Sequence, residues 1–459
     1  MIGYLFLVLL LAAAVGYVMN RATARAAIAG GSARFHSLAG FHGAYALLLT
    51  GLPAVLFVLL WLLLQGSVID SIVIGSLPET EMAGLDAGRL SLIEAEIKSI
   101  ARGNIFGTPE PWKLEAAERY NSLRSIASVA LWVATLAIAA VGLYVARSRI
   151  SPEFRARHRV EAITTWLMIA CSVLAIFVTF GIVASLIYES IRFFDKVPIT
   201  EFLFGLNWEP QIALREDQVA GAGAFGWVPV FLGTIVITTV ALVVAVPIGL
   251  LSAIYLNEFA SSRIRSISKP ILEVLAGVPT VVYGFFAILV VAPAIRSAGA
   301  ALGIDVAPNT ALAAGGVMGI MLIPFISSFT DDALSAVPRA LRDGSLALGA
   351  TRGETVRKIL FPAAIPGIVG GVLLAVSRAI GETMIVVMAA GLIATLTVNP
   401  LDSVTTVTVQ IVTLLIGDSE FDNPKTLAAF ALGLMLFIVT LALNLIALRF
   451  VRKYRELYD

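Results

Sequence analysis

The chain has 459 residues, of which 59% are hydrophobic and 14% charged, and its mean hydropathy is +0.93. Soluble globular proteins average roughly 45–50% apolar and about 25% charged residues, so the composition excludes a soluble globular enzyme. A formal net charge of +1 is uninformative about partners, and nucleic acid is not expected among them. The single cysteine, Cys171, excludes an internal disulfide and a cysteine-based zinc site. His36, His42 and His158 are scattered in sequence, so no metal is expected.

Apolar runs of about 20 residues recur, the length that crosses a hydrocarbon core roughly 30 Å thick. A transmembrane barrel would alternate in segments of about 10 residues instead. The expected fold is therefore an all-α integral membrane protein with nine spans, near 2–18, 40–64, 125–146, 163–187, 227–256, 270–295, 311–329, 365–394 and 427–448. No Lys or Arg precedes the first apolar core, whereas Arg21 and Arg25 follow it. A cleavable signal carries its positive end first, so this span is expected to be retained with its N-terminus outside.

Between the second and third spans lies the longest external segment, 65–124. Within it Leu90, Ile93, Ile97 and Ile100 recur at helical spacing, interleaved with Glu94, Glu96 and Lys98. One amphipathic helix is expected there, either a small packed extramembrane helix or one lying on the membrane surface.

Loop charges fix the expected orientation. Segments 19–39, 147–162, 257–269, 331–363 and 449–459 hold 20 Lys and Arg. The alternate set, 65–124, 188–226, 296–310 and 396–426, holds 11 over more residues. The first set is expected to be cytoplasmic, with the C-terminus inside.

Segment 331–363 is more than a connection. Pro338 opens a helix, Gly349 breaks it, and ETVRKILF forms a second amphipathic helix stopped by Pro362. Such a helix–break–helix offers a ridge that a soluble partner can grip in a groove. It resembles the coupling motif of permease subunits of ATP-binding-cassette importers. That motif runs Glu-Ala-Ala, three residues, Gly, nine residues, Ile, one residue, Leu-Pro. Here Asp343, Gly344 and Ser345 stand at the Glu-Ala-Ala positions, Gly349, Ile359 and Pro362 match at the right spacing, and Phe361 replaces Leu. Aspartate keeps the charge, while Gly344 and Ser345 weaken the helix by roughly half to one kcal/mol each.

The resemblance extends over about 160–459. ILEVLAGVPTVVYGFFAIL (271–289), the ridge and VSRAIGETM (376–384) are similar to permeases of the bacterial phosphate-specific importer. GETM before an apolar run, and FLFGLNWEP (202–210), resemble the PstC type of that family. The resemblance implies a six-helix type I permease core over 161–459. Residues 1–160 resemble the N-terminal extension, here with three spans, that some PstC proteins carry. It also implies a PstA-type sister permease, two ATP-binding subunits carrying ATP-Mg, an external phosphate-binding protein, and phosphate as cargo in the inner membrane. The chain has no G-x-x-x-x-G-K-[ST] loop, so ATP belongs to a partner and no covalent chemistry is expected here.

Arg378 and Glu382 stand near the middle of one span, where an Arg costs about 2.5–3.5 kcal/mol on insertion scales. A four-residue offset on a continuous helix puts Glu382 on the same face, where the two can pair. They then either fix helix packing as a buried pair or line a pathway, the guanidinium fork matching phosphate oxygens. The resemblance implies the transport role for both. Glu273, one turn into its span, either contributes or faces the membrane boundary. Pro247, Pro279 and Pro366 are expected either to break helices beside a cavity or to kink them, and Tyr283, Phe285 and Phe286 to pack in the core. The rival functions are a permease for another oxyanion, such as sulfate, molybdate or phosphonate, and a receptor or scaffold that no longer transports. An ion-driven carrier would need inverted repeats, and none is visible.

Overall fold

The computed structural model describes residues 2–30, 35–78, 87–104, 109–211, 223–416 and 423–455. Parts of the expected loops 19–39, 65–124, 188–226 and 396–426, and the chain end 456–459, lie outside the described residues. Nine helices among the described residues are long and apolar enough to span a membrane, including Gly3–Ala29, Ala39–Ile74, Pro111–Ser148, Ala156–Phe194 and Pro424–Lys453. Two compact units divide the chain, Met1–Phe177 and Val178–Asp459, and the boundary falls inside the helix Ala156–Phe194.

In the first unit, helices Ile2–Ala29, Ala39–Ile74 and Pro111–Ser148 enclose Leu5, Leu9, Ala54, Val58, Leu131 and Ala139. They cross closely: a Cβ on Gly142 would stand 2.2 Å from the Leu49 carbonyl oxygen. The second and third spans run well past their apolar stretches, so most of the expected loop 65–124 is helix. The extensions are held by the helix Ala87–Ala101, whose Ile93, Ile97 and Ile100 pack on Ile69, Val73, Ala116 and Ala117. Lys98 donates to Asp70 at 2.8 Å and to Glu94 at 2.5 Å, and Lys113 donates to Glu96 at 3.0 Å. Of the two readings of this helix, the packed one holds. The histidines gather at one end of the unit, with the His36 and His158 ring centroids 5.4 Å apart and His42 against Phe154 at 6.0 Å.

The second unit is built around the helix Ala311–Ser335, more deeply buried than any other span. Its Ala, Gly and Met residues suit that place, because neighbouring helices cross within van der Waals contact. A Cβ on Gly315 would meet Val240 at 2.8 Å, and one on Gly319 the Ala241 carbonyl at 2.8 Å. Around it, helices Val228–Ile254, Thr280–Phe286, Phe361–Ile380 and Met384–Ala389 close a core that includes Ile237, Tyr283, Met318, Leu322, Ala375 and Ile385. The Tyr283 hydroxyl donates to the Leu275 carbonyl at 2.7 Å. Phe285 and Phe286 are exposed rather than packed in that core.

Two expected spans are broken. The run 270–295 is a helix Ser262–Ala276 that stops at Gly277, followed by a new helix from Thr280 capped by Pro279. The run 365–394 stops at Ile380 and resumes as the short helix Met384–Ala389. Hydropathy misses both because each break lies beside a long apolar run that an averaging window reads across. Pro247 and Pro366, in contrast, lie inside continuous helices. Pro362 does not stop its helix either. Residues Val356–Leu360 form a π turn leading into Phe361–Ile380, which widens the helix ahead of the proline and relieves its clash with the preceding turn.

The close crossings give a paired prediction. A Cβ at Gly233 would stand 2.1 Å from the Thr405 carbonyl oxygen, whereas one at Gly316 meets nothing within 4 Å. Gly233→Ala is expected to lower stability by about 1–3 kcal/mol through overpacking. Gly316→Ala is expected to raise it by roughly 0.5–1 kcal/mol. Thermal unfolding of the purified protein in detergent reads both signs.

Candidate functional site

Arg378 stands in the last turn of the helix Phe361–Ile380, which ends at Gly381. It is exposed, and its guanidinium makes no ion pair or hydrogen bond among the described residues. The expected Arg378–Glu382 pair is therefore absent. Pairing at four-residue spacing requires the helix to continue through residue 382, and it has already ended. Glu382 turns the other way. Its Oε1 accepts from the backbone N–H of Met384 at 3.1 Å and of Ile385 at 3.4 Å, opening the short helix Met384–Ala389. Its backbone carbonyl accepts from the Thr408 hydroxyl at 3.0 Å. The two charges thus part at the break, Arg378 displayed at the end of the first helix and Glu382 inside the three-residue break, anchored by backbone donors.

The ridge folds largely as its pattern dictates. Pro338 precedes the helix Arg339–Ala347, and Gly349 takes φ +84°, a left-handed conformation that glycine adopts without steric cost. Thr351 and Glu354 then form a reciprocal capping box that starts the next helix. Ser345 is buried, and its hydroxyl lies 3.0 Å from that of Thr355, tying the two helices across the break. Asp343 and Gly344 are exposed. Ile359 and Pro362 are half-buried beside Val356 and Leu360, which pack on Leu334. Between the helices Leu348 is 91% exposed. A leucine so placed forms the crest of the ridge.

Sequence reading missed the charges that fasten this ridge. Asp331, buried near the end of the helix Ala311–Ser335, accepts from Asn257 at 2.6 Å, Arg265 at 3.0 Å and Lys269 at 2.9 Å. The hydrogen bond to Asp331 holds the Lys269 ammonium above the usual lysine range, against the opposing effect of burial. Asn257 also donates to Ser335 at 3.0 Å, and Arg342 of the ridge pairs with Glu258. A cavity of about 270 Å³ opens behind this cluster, lined by Leu272, Glu273, Pro324, Phe325 and Phe329 among others. Glu273 thus faces a cavity mouth. The available signal was the Asp331–Asp332 pair closing an apolar helix, which only the fold shows to have cationic partners.

A family model described as "Phosphate ATP-binding cassette transporter" matches residues 6–178. A second, "Binding-protein-dependent transport system inner membrane component", matches 245–456. The probable ABC transporter permease protein YqgH of Bacillus subtilis is 31% identical over 295 residues, which are 63% of this chain and 90% of that protein. The phosphate transport system permease protein PstC 1 of Mycobacterium tuberculosis is 31% identical over 55% of this chain and 81% of its own. Among solved structures, a chain of a bacterial ABC transporter involved in import of the acidic polysaccharide alginate aligns with a TM-score of 0.45 at 16% identity, over 65% of this chain and 99% of that one. With a multi-pass helical fold and relatives of this closeness, the chain belongs to the family of PstC-type phosphate transport system permease proteins, membrane components of ATP-binding-cassette transporters.

Proposed function

We propose that this chain forms half of the membrane pathway of an ATP-driven phosphate importer, with Arg378 as the anion contact of that pathway. The observation that carries this reading is the exposed, unpaired Arg378 at the end of a helix within the membrane. Facing lipid it would cost about 2.5–3.5 kcal/mol, so the surface around it is one that a sister permease and an aqueous path cover. The relatives named as phosphate transport permeases support phosphate as the anion.

The local electrostatics suit passage rather than storage. A guanidinium offers planar donors that fit phosphate oxygens, but the helix end beside it carries about half a negative charge from unsatisfied carbonyls. Glu382, held by the amides of Met384 and Ile385, adds a second negative charge nearby without capturing the guanidinium. One cation so tempered attracts an anion and lets it leave, as conduction requires.

The ridge 339–360 is the contact for the ATP-binding subunits, and those subunits carry ATP-Mg. Leu348 at its crest, flanked by exposed Leu341 and Leu346, fits an apolar groove in the helix-in-groove manner. Asp343, Gly344 and Gly349 are exposed on the same ridge, Gly349 making its turn, while Ser345, Ile359 and Pro362 shape it from within. The Arg342–Glu258 pair carries its movement to the helix Val228–Ile254. The basic loops support a cytoplasmic ridge and C-terminus and an external N-terminus. A PstA-type sister, two ATP-binding subunits and an external phosphate-binding protein complete the assembly, and residues 1–160 form an N-terminal extension to the six-helix core.

In phosphate-starved cells lacking this chain, wild type is expected to restore [32P]phosphate uptake. Arg378→Ala, at equal membrane abundance, is expected to lower it at least tenfold, and excess sulfate to leave wild-type uptake unchanged. Equal uptake by wild type and variant would remove Arg378 from the path, and competition by sulfate would shift the cargo to another oxyanion. For the ridge, Leu348→Asp is expected to reduce co-purification of the ATP-binding subunits about tenfold while the protein's own thermal unfolding stays unchanged. Undiminished co-purification would place the contact elsewhere.

A further inference from the structure

The stretch FLFGLNWEP has no part in the site described above, and its fold shows where it leads. Its first residues close the short helix Ile199–Phe204. Gly205 then lies so close to Gly226 that a Cβ on Gly226 would stand 2.3 Å from the Gly205 carbonyl. Trp208 follows in a two-residue antiparallel pairing with Ala224–Phe225. The indole is 5% exposed, and its Nε1–H donates to Gln410 Oε1 at 2.9 Å.

Gln410 is itself 5% exposed. Its amide nitrogen donates to the Leu392 carbonyl at 2.8 Å and to the Thr405 hydroxyl at 3.1 Å. The indole can only donate and the Leu392 carbonyl can only accept, so these partners admit a single orientation of the amide. Leu392 and Thr405 are the two legs of a non-helical segment that folds back on itself, Val404 N–H and the Ser403 hydroxyl both donating to the Ala390 carbonyl. One buried glutamine therefore joins the hairpin to both legs of this segment.

Gln410 lies on the helix Val407–Leu415, and two residues earlier on that helix Thr408 holds the Glu382 carbonyl at 3.0 Å. The backbone N–H groups of Leu312, Ala307 and Ala311 donate to Pro400, Leu401 and Asp402. This assembly thus sits at the start of the helix Ala311–Ser335, the end opposite the ridge, where a soluble donor of substrate would arrive.

We propose that Gln410 is a positioning residue that links the Trp208 hairpin, as the seat of the substrate-delivering partner, to the Glu382 turn beside Arg378. This rests on the reading of the chain as a transport subunit. A shift of the hairpin moves the indole, the glutamine follows because its bonds have no solvent substitute, and the nine-residue helix carries the shift to Thr408 and so to Glu382.

The test uses the assembled transporter in proteoliposomes, with the phosphate-loaded binding protein supplied on the hairpin side. Trp208→Phe removes the indole N–H together with part of the ring, Thr408→Val replaces a hydroxyl with a methyl group, and Gln410→Leu removes the amide. Each is expected to reduce the ratio of stimulated to basal ATP hydrolysis about fivefold, and Trp208→Phe with Thr408→Val to reduce it no further than either alone. Independent effects would multiply to about 25-fold in the double variant, and that result would overturn the linkage. Hydrogen exchange at the Met384 and Ile385 amides gives a readout independent of cargo. It is expected to quicken at least threefold in Trp208→Phe and Gln410→Leu, with the helix Ala311–Ser335 unchanged. Unaltered protection of those two amides overturns the proposal, whatever happens to transport. If wild type moves no phosphate while the exchange and the hydrolysis ratio behave as expected, the cargo assignment fails and the positioning role stands.

Discussion

The stop of one helix at Gly381 governs the chemistry of the second unit. Had Phe361–Ile380 run on through residue 382, Arg378 and Glu382 would face each other one turn apart and cancel. Because it stops, the arginine is displayed and the glutamate becomes a cap for the next helix. Backbone groups freed at a break within a membrane must find partners inside the protein. Glu382 and Thr408 supply them, and they keep the break in register with the segment folded over it.

The same accounting applies at the other end of the unit. A carboxylate as buried as that of Asp331 is tolerated only when paired and hydrogen-bonded, and three cationic or amide donors converge on it. Removing one partner of such a cluster leaves charge uncompensated, which costs more than the cluster contributes when whole. The cluster therefore fixes relative position more than it adds stability. It holds the ends of the helices Val228–Ile254 and Ala311–Ser335 and the helix Ser262–Ala276 together where the ridge attaches.

Much of this was legible in the sequence where the signal was local. The nine apolar runs, the turn at Gly349 and the packed face of Ile93, Ile97 and Ile100 each depend on residues within a few positions of one another. The coupling spacing over 343–362 marked the ridge for the same reason. What escaped depends on contacts far apart in the chain. The breaks at 277–279 and 381–383 each lie beside a long apolar run, which an averaging window reads across. Pro362 read as a stop because the π turn ahead of it has no signature in composition. Asp331 and Gln410 gain their meaning from partners 62 to 74 and 202 positions away, beyond any periodicity.

The uninterrupted passage through Pro362 has a mechanical consequence. From Arg352 to Ile380 the backbone forms 29 residues of unbroken helix, about 43 Å at 1.5 Å per residue. The N-terminus of this rod is half of the ridge, and its far end carries Arg378. A hydrogen-bonded helix resists compression along its axis, so a push at the ridge reaches the guanidinium as displacement rather than as bending. Beyond the π turn at 356–360, the first break along that line is at 381–383. Lever and fulcrum thus lie on a single stretch of chain, and no relay through side chains is needed to carry force across the membrane to the arginine.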